Sequence, residues 1–171
     1  MANHVVINTD KCLASKYGHS VSVVYSADLD NGSFVALGNL DINNQEVFNA
    51  ELPSTPTTDV LVMTATPEFQ VDLYLPGKTL KDFYNPAGKT IRTIYFTVGD
   101  ILFITDNGID GATVTNQFAV PQAGSVKLAA ATDLSGGTRL AFRVIAKNNG
   151  FSYTGSTYAK EPGSVLLCVK A

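Results

Sequence analysis

Two Gly-Lys-Thr triplets, at residues 77–79 and 88–90, contain the lysine and hydroxyl that a phosphate-binding loop brings to a nucleotide. Such a loop also needs a glycine five residues before its second glycine, so that successive backbone N–H groups can curl round the phosphates. Asp72 and Phe83 stand at those positions, and both triplets read as turns. Asp106-Asn107-Gly108-Ile109-Asp110-Gly111 starts like a calcium loop, with Asp at positions 1 and 5 and Gly at 6. Gly108 offers no oxygen at position 3, and Gln117 stands where a bidentate Glu should close the coordination sphere. Asp28-Leu29-Asp30-Asn31-Gly32 is incomplete in the same way. His4 and His19 are the only histidines, and neither has a Cys or Asp spaced for a triad or a metal site. Nucleophilic catalysis needs a base oriented by a third group, and none can be named. Glu46 and Glu51 read as solvated carboxylates of an acidic half-chain. The expectation is a non-enzymatic protein with no metal and no cofactor.

The elements that carry these residues are short. At 171 residues the chain suits one β-rich domain, 1–171. Hydrophobic residues make up 45% and charged residues only 16%, which argues against disorder. The net charge of −3 gives no general attraction to nucleic acid or anionic membrane. It is unevenly divided: residues 1–85 carry 4 Lys/Arg against 10 Asp/Glu, and residues 86–171 carry 8 against 5. Were the halves to occupy different faces, neighbouring copies could pair acidic side to basic side; strands interleaved from both halves would mix the charges instead. Cys12 and Cys168, at opposite ends of the chain, suggest neither a disulfide framework nor a zinc site, and Cys168 within VLLCV reads as a core residue. No segment approaches the ~20 apolar residues of a membrane helix, and MANHVVINTDK lacks a signal-peptide core. Folding in a cytosol is expected.

Leu80 to Gly111 is the richest stretch. One helical turn leads into the bend Pro86-Ala87-Gly88-Lys89, because Pro86 and its restraint on Asn85 forbid a longer helix. Lys89–Thr97 follows as a strand with Ile91, Thr93 and Tyr95 on one side and Ile94 and Phe96 on the other, covered on both faces. Val98-Gly99-Asp100 is a turn, Ile101–Thr105 a buried strand, and Asn107-Gly108 and Asp110-Gly111 are hairpin-type turns. Elsewhere strands are expected at His4–Asn8, Ser20–Ser26, Phe34–Leu37 (as hairpin partner of Ser20–Ser26 across Asp28–Gly32), Glu46–Leu52, Val60–Ala65, Thr113–Val120, Val126–Ala131, Arg139–Lys147 and Val165–Val169. In Arg139–Lys147 the residues Leu140, Phe142, Val144 and Ala146 should face the core. Thr9–Gly18 should hold a helical turn capped by Thr9 or Asp10. The class is all-β: an antiparallel sandwich or barrel of about ten short strands with at most one or two helical turns.

Asn148–Ser164 lacks periodicity and is rich in Gly, Ser and Tyr, a vocabulary suited to adaptable contacts. The alternative for this stretch is a hairpin excursion without a partner. Several segments together carry a family likeness: Leu37-Gly38-Asn39-Leu40, Ala65-Thr66-Pro67-Glu68, Asp82 to Lys89, Gly99-Asp100-Ile101-Leu102, Ile109-Asp110-Gly111 and Ala123 to Leu128. In this order they resemble small virion structural proteins of tailed bacteriophages, of the kind that decorate or cement the head. The resemblance implies a β-rich protein made in the host cytoplasm and added to an assembled capsid, often as a trimer or other homo-oligomer. It also implies capsid or other virion proteins as partners, and no cofactor, nucleic acid or membrane. The contact residues expected on this reading are Asn3, Val5 and Ile7 of an N-terminal arm, with Phe151, Tyr153 and Tyr158 of the 148–164 stretch. A tail, fibre-base or receptor-contact component of the virion is the alternative placement, and a carbohydrate-binding module a more distant one.

Overall fold

Strand alternation, which sends successive side chains to opposite faces, builds two sheets that share a core. The computed structural model describes residues 4–68, 80–147 and 162–171. Along the described chain run β1 (Ile7–Lys11), helix α1 (Leu13–Tyr17), β2 (Ser20–Val24), β3 (Phe34–Asp41), β4 (Asn44–Glu51), β5 (Leu61–Thr64) and β6 (Thr90–Ile94). Then come β7 (Ile101–Thr105), β8 (Ile109–Asp110), β9 (Phe118–Pro121), β10 (Leu128–Ala131), β11 (Ala141–Lys147) and β12 (Gly163–Lys170), with 3-10 turns at Leu80–Asp82 and Asp106–Gly108. The protein is all-β, as expected. Strands β2 to β6 close a barrel in the order β2-β4-β3-β5-β6, and the others form a seven-stranded sheet, β1-β7-β12-β11-β9-β10-β8.

The main core lies between the sheet and the outside of the barrel. Phe34, Ala36, Leu61, Met63, Ile94 and Phe96 from the barrel meet Leu102, Ile104, Phe142, Val144 and Leu166 from the sheet. The alternate residues Val35, Val62 and Ile91 turn inward and fill the barrel with Val23 and Leu29. This is the two-sided burial expected for Lys89–Thr97: Ile91 and Tyr95 belong to the barrel cluster, Ile94 and Phe96 to the main one.

Pairing departs from expectation in several places. The β2–β4 and β10–β8 pairs are parallel, so the architecture is not purely antiparallel. Asp28–Gly32 is not a hairpin turn, since β2 pairs with β4 and β6 while β3 lies between β4 and β5. That loop is instead tied into the fold. Leu29 bridges to Asn85, and Gly32, at φ +82°, packs so closely that a Cβ there would lie 2.7 Å from Ile7 Cγ2. Asn107-Gly108 belongs to a 3-10 turn, because its backbone is pressed against Val5 and Ile104. Thr113 to Gln117 is not strand: Asn116 takes φ 69° and donates its N–H to Val144 O. Ala146 is exposed, because a bulge between Val144 and Ala146 shifts the alternation of β11. Neither Thr9 nor Asp10 caps α1. Its Leu13 N–H is taken by the carboxylate of Asp100, at 2.8 Å, from the turn after β6.

Candidate interaction surface

The polar groups that look most like chemistry are engaged in holding loops together. Asp30 accepts from His4 Nδ1 at 2.6 Å and from Val5 N, and the His4 ring stacks on Tyr84 with centroids 5.2 Å apart. Asp28 accepts the Ala87 N–H. Asp106 pairs with Lys147 Nζ at 3.0 Å, and Asp110 accepts from Gln122 Nε2. Gly88 has φ +69° in a bend that runs straight into β6 and not into a helix, as its reading as a turn requires. The triplet at 77–79 lies outside the described residues. No group of three or more His, Cys, Asp or Glu side chains among the described residues is placed to hold a metal ion.

A polar cleft of about 330 Å³ opens beside β1, lined in part by Ile7, Asp10, Asn31, Thr66, Glu68 and Arg92. Asn31, only 1% exposed, is its organiser. The Asn31 amide donates to Thr66 O and, at 3.5 Å, to Glu68 Oε1, while its Oδ1 accepts from Thr66 N and Asn85 Nδ2. Burial pushes the Glu68 carboxyl above its ordinary range, and the Asn31 amide pulls the other way. Thr66 Oγ1 is the one buried side-chain polar atom among the described residues without a partner.

The two buried cysteines both feel the charge of the buried Asp100 carboxylate. Burial pushes the Cys12 thiol up to about 12, helped by the Asp100 charge. Burial likewise raises Cys168 to about 11, against the lowering effect of its contact with the Lys170 backbone. The folded thiols therefore stay protonated where unfolded ones ionise, near pH 8.5. Their contribution to stability is complete below that pH and is lost as pH rises through 11 and 12. Since the thiolate is the reactive species, a disulfide reagent at pH 8 is expected to leave the native protein untouched and to modify both cysteines in denaturant. Rapid modification of the native protein would contradict this burial.

The most unusual surface is the outer face of the seven-stranded sheet. An antiparallel sheet packed on one side normally turns polar residues to solvent on the other. Here the register places Phe118, Arg143, Leu167 and Ile101 side by side across β9, β11, β12 and β7, on the face away from the core. Val165 and the buried Phe103 form the next row, and Val120 with Ala129 another. Phe118, Val120, Val165, Leu167 and Val169 are all left half-buried. Arg143 is exposed and makes no ion pair or hydrogen bond among the described residues. A second exposed apolar feature is the tip of the β3–β4 hairpin. β5 pairs only with Phe34 to Ala36, and β2 only with Val47 to Asn49, so the hairpin runs on past both neighbours. At its end Ile42 is 91% exposed and Leu40 47%.

Of the expected contact residues, Asn3, Phe151, Tyr153 and Tyr158 lie outside the described residues. Val5 is turned into the core of its own chain against Gly32 and Gly108, where it is closed to a partner. Ile7 is half-buried, packed on the core and lining the cleft. The N-terminal strand occupies the edge of its own sheet, paired with β7. Residues 4–8 were the expected strand, and pairing begins only at Ile7. Residues that flank 1–3, 69–79 and 148–161 are joined through direct contacts. His4 N donates to Lys81 O, Asn31 bonds Glu68 and adjoins Asp30, which holds His4, and Asp106 bonds both Lys147 and the Pro162 carbonyl beside the Val6–Thr105 pair. The sheet's outer face escaped the sequence reading, although its signal was present: ILFIT and VLLCV do not alternate.

Compared with known proteins, the chain matches no family model, no curated protein and no solved structure. No helix among the described residues is long and apolar enough to cross a membrane.

Proposed function

We propose that this protein is a non-enzymatic structural component of a tailed-bacteriophage virion, a decoration protein that binds the assembled capsid and stabilises it. The observation that carries the reading is the sheet that is apolar on both faces: one face builds the core, and the other carries the half-buried Phe118, Val120, Val165 and Leu167, apolar side chains suited to a partner. A repetitive shell suits such a surface, since many modest contacts add through multivalency. The resemblance of the turn segments to head-decorating proteins supports the same assignment. So does the use of Asp28, Asp30, Asp106 and Asp110 in holding loops, away from any shared reaction centre.

The test is co-sedimentation of the purified protein with shells that lack their decoration. Saturable binding at a stoichiometry set by the shell's symmetry is the expected result. Failure to bind shells, with binding to purified tails instead, would replace this reading by a tail or fibre-base role.

A further inference from the structure

We propose that the β3–β4 hairpin of one copy docks on the outer face of the seven-stranded sheet of a second copy, giving a head-to-tail assembly. This rests on the reading of the chain as a self-associating structural protein and names the two surfaces that meet.

The first argument is charge. No Lys or Arg occurs between Lys16 and Lys78, so the whole hairpin is acidic, with Asp41 and Glu46 flanking the exposed Ile42. The sheet receives it with the opposite sign at Arg143, which stands between Leu167 and Phe118. Four of the five barrel strands come from the acidic half and six of the seven sheet strands from the basic half; the exceptions are β6, which brings Arg92 to the barrel, and β1. The strands thus segregate most of the charge. The exposed Leu13 and Tyr17, by contrast, lie beside Lys16 and would meet Arg143 with like charge.

The second argument is geometry. β3 enters the main core through Phe34 and Ala36, so the barrel sits on the inner side of the sheet. The hairpin therefore lies across the core from the outer face of its own chain, and the contact must be made between copies. Two different surfaces then meet, and such a contact closes into a ring or runs on as a filament, according to its rotation.

This arrangement has a distinctive signature. Ile42→Asp spoils the hairpin and leaves the sheet face intact; Arg143→Glu does the reverse. Both residues are exposed, and an unchanged melting temperature and near-ultraviolet circular dichroism would establish folding. By sedimentation velocity the parent should be oligomeric, and each variant should associate at least about tenfold more weakly, as a misplaced charge at a contact requires. An equimolar mixture of the two should give a species of two chains and no larger, because one intact hairpin can seat on one intact face. A monomeric parent, an oligomer indifferent to both substitutions, or variants that stay separate on mixing would each overturn the proposal. Shell binding measured on the same variants separates the two readings: variants that bind shells but do not self-associate leave the capsid role standing without the oligomer.

Discussion

Replacing Phe142 by alanine is expected to cost about 3–5 kcal/mol, the range for truncating a fully buried aromatic side chain. Domains of this kind are stable by about 5–15 kcal/mol in all, so this variant should stand at the edge of unfolding. Phe142 is wholly buried where the sheet meets the barrel. Its ring lies edge-on to Phe96, with centroids 4.8 Å apart at 85°, and to Phe34 at 5.7 Å and 65°. These pairings add roughly 0.5–1.5 kcal/mol each to the burial itself. More is lost than one side chain, because the ring is a joint between two sheets whose strand ladders are separate. Urea unfolding measures it: the midpoint should fall sharply, and Phe142→Leu should recover most of the loss. A midpoint shift worth less than about 1 kcal/mol would mean that the sheet and barrel are held together elsewhere.

Asp100→Ala should be nearly as damaging, at about 2–4 kcal/mol, for a different reason. Asp100 is 2% exposed, and its two carboxylate oxygens accept from Leu13 N and Thr97 N, each at 2.8 Å. Removing the carboxylate takes the partner from two part-buried donors, at up to about 1–3 kcal/mol apiece. Asp100→Asn tests the mechanism, since an amide can serve one of these N–H groups but presents a donor to the other. It should lose almost as much as the alanine. Because the Asp100 charge also raises both thiols, either substitution should make Cys12 and Cys168 easier to ionise. Faster alkylation at pH 9 than in the parent would report that directly, while stability close to that of the parent would remove the carboxylate from its capping role.

How legible the fold was depends on the range of the interactions. Ile91, Ile94 and Phe96 were assigned to their proper faces because alternation is local and a strand covered on both sides has no polar row to confuse it. The Val98-Gly99-Asp100 turn was equally plain, yet nothing local says that it carries the chain out of the barrel and into the other sheet. Asp28–Gly32 looked like a hairpin because its residue types suit one. Its real work depends on Asn85, Thr64 and His4, none of them near it in sequence. The helix cap failed as a local reading for the same reason, being supplied by Asp100 from 87 residues away. In the candidate surface, Arg143 was legible as the outward residue between the inward-facing Phe142 and Val144. Its apolar neighbours were not, since only the pairing register brings Phe118, Leu167 and Ile101 alongside Arg143.

The division of strands between barrel and sheet also sets an order of events during synthesis. The barrel is complete once Ile94 has emerged, but the sheet that covers its outer side ends with β12, at Lys170. At about 5–20 residues per second the ribosome takes on the order of 4–15 s to supply that remainder. Through that interval Phe34, Met63 and Ile94 have no cover from the sheet, and β1 waits for β7, whose partner residues lie ninety or more positions downstream. Pairings of such long range form slowly. The nascent chain thus passes through a stage in which the barrel's side of the main core faces solvent, and chaperones would meet it as a barrel with one greasy wall.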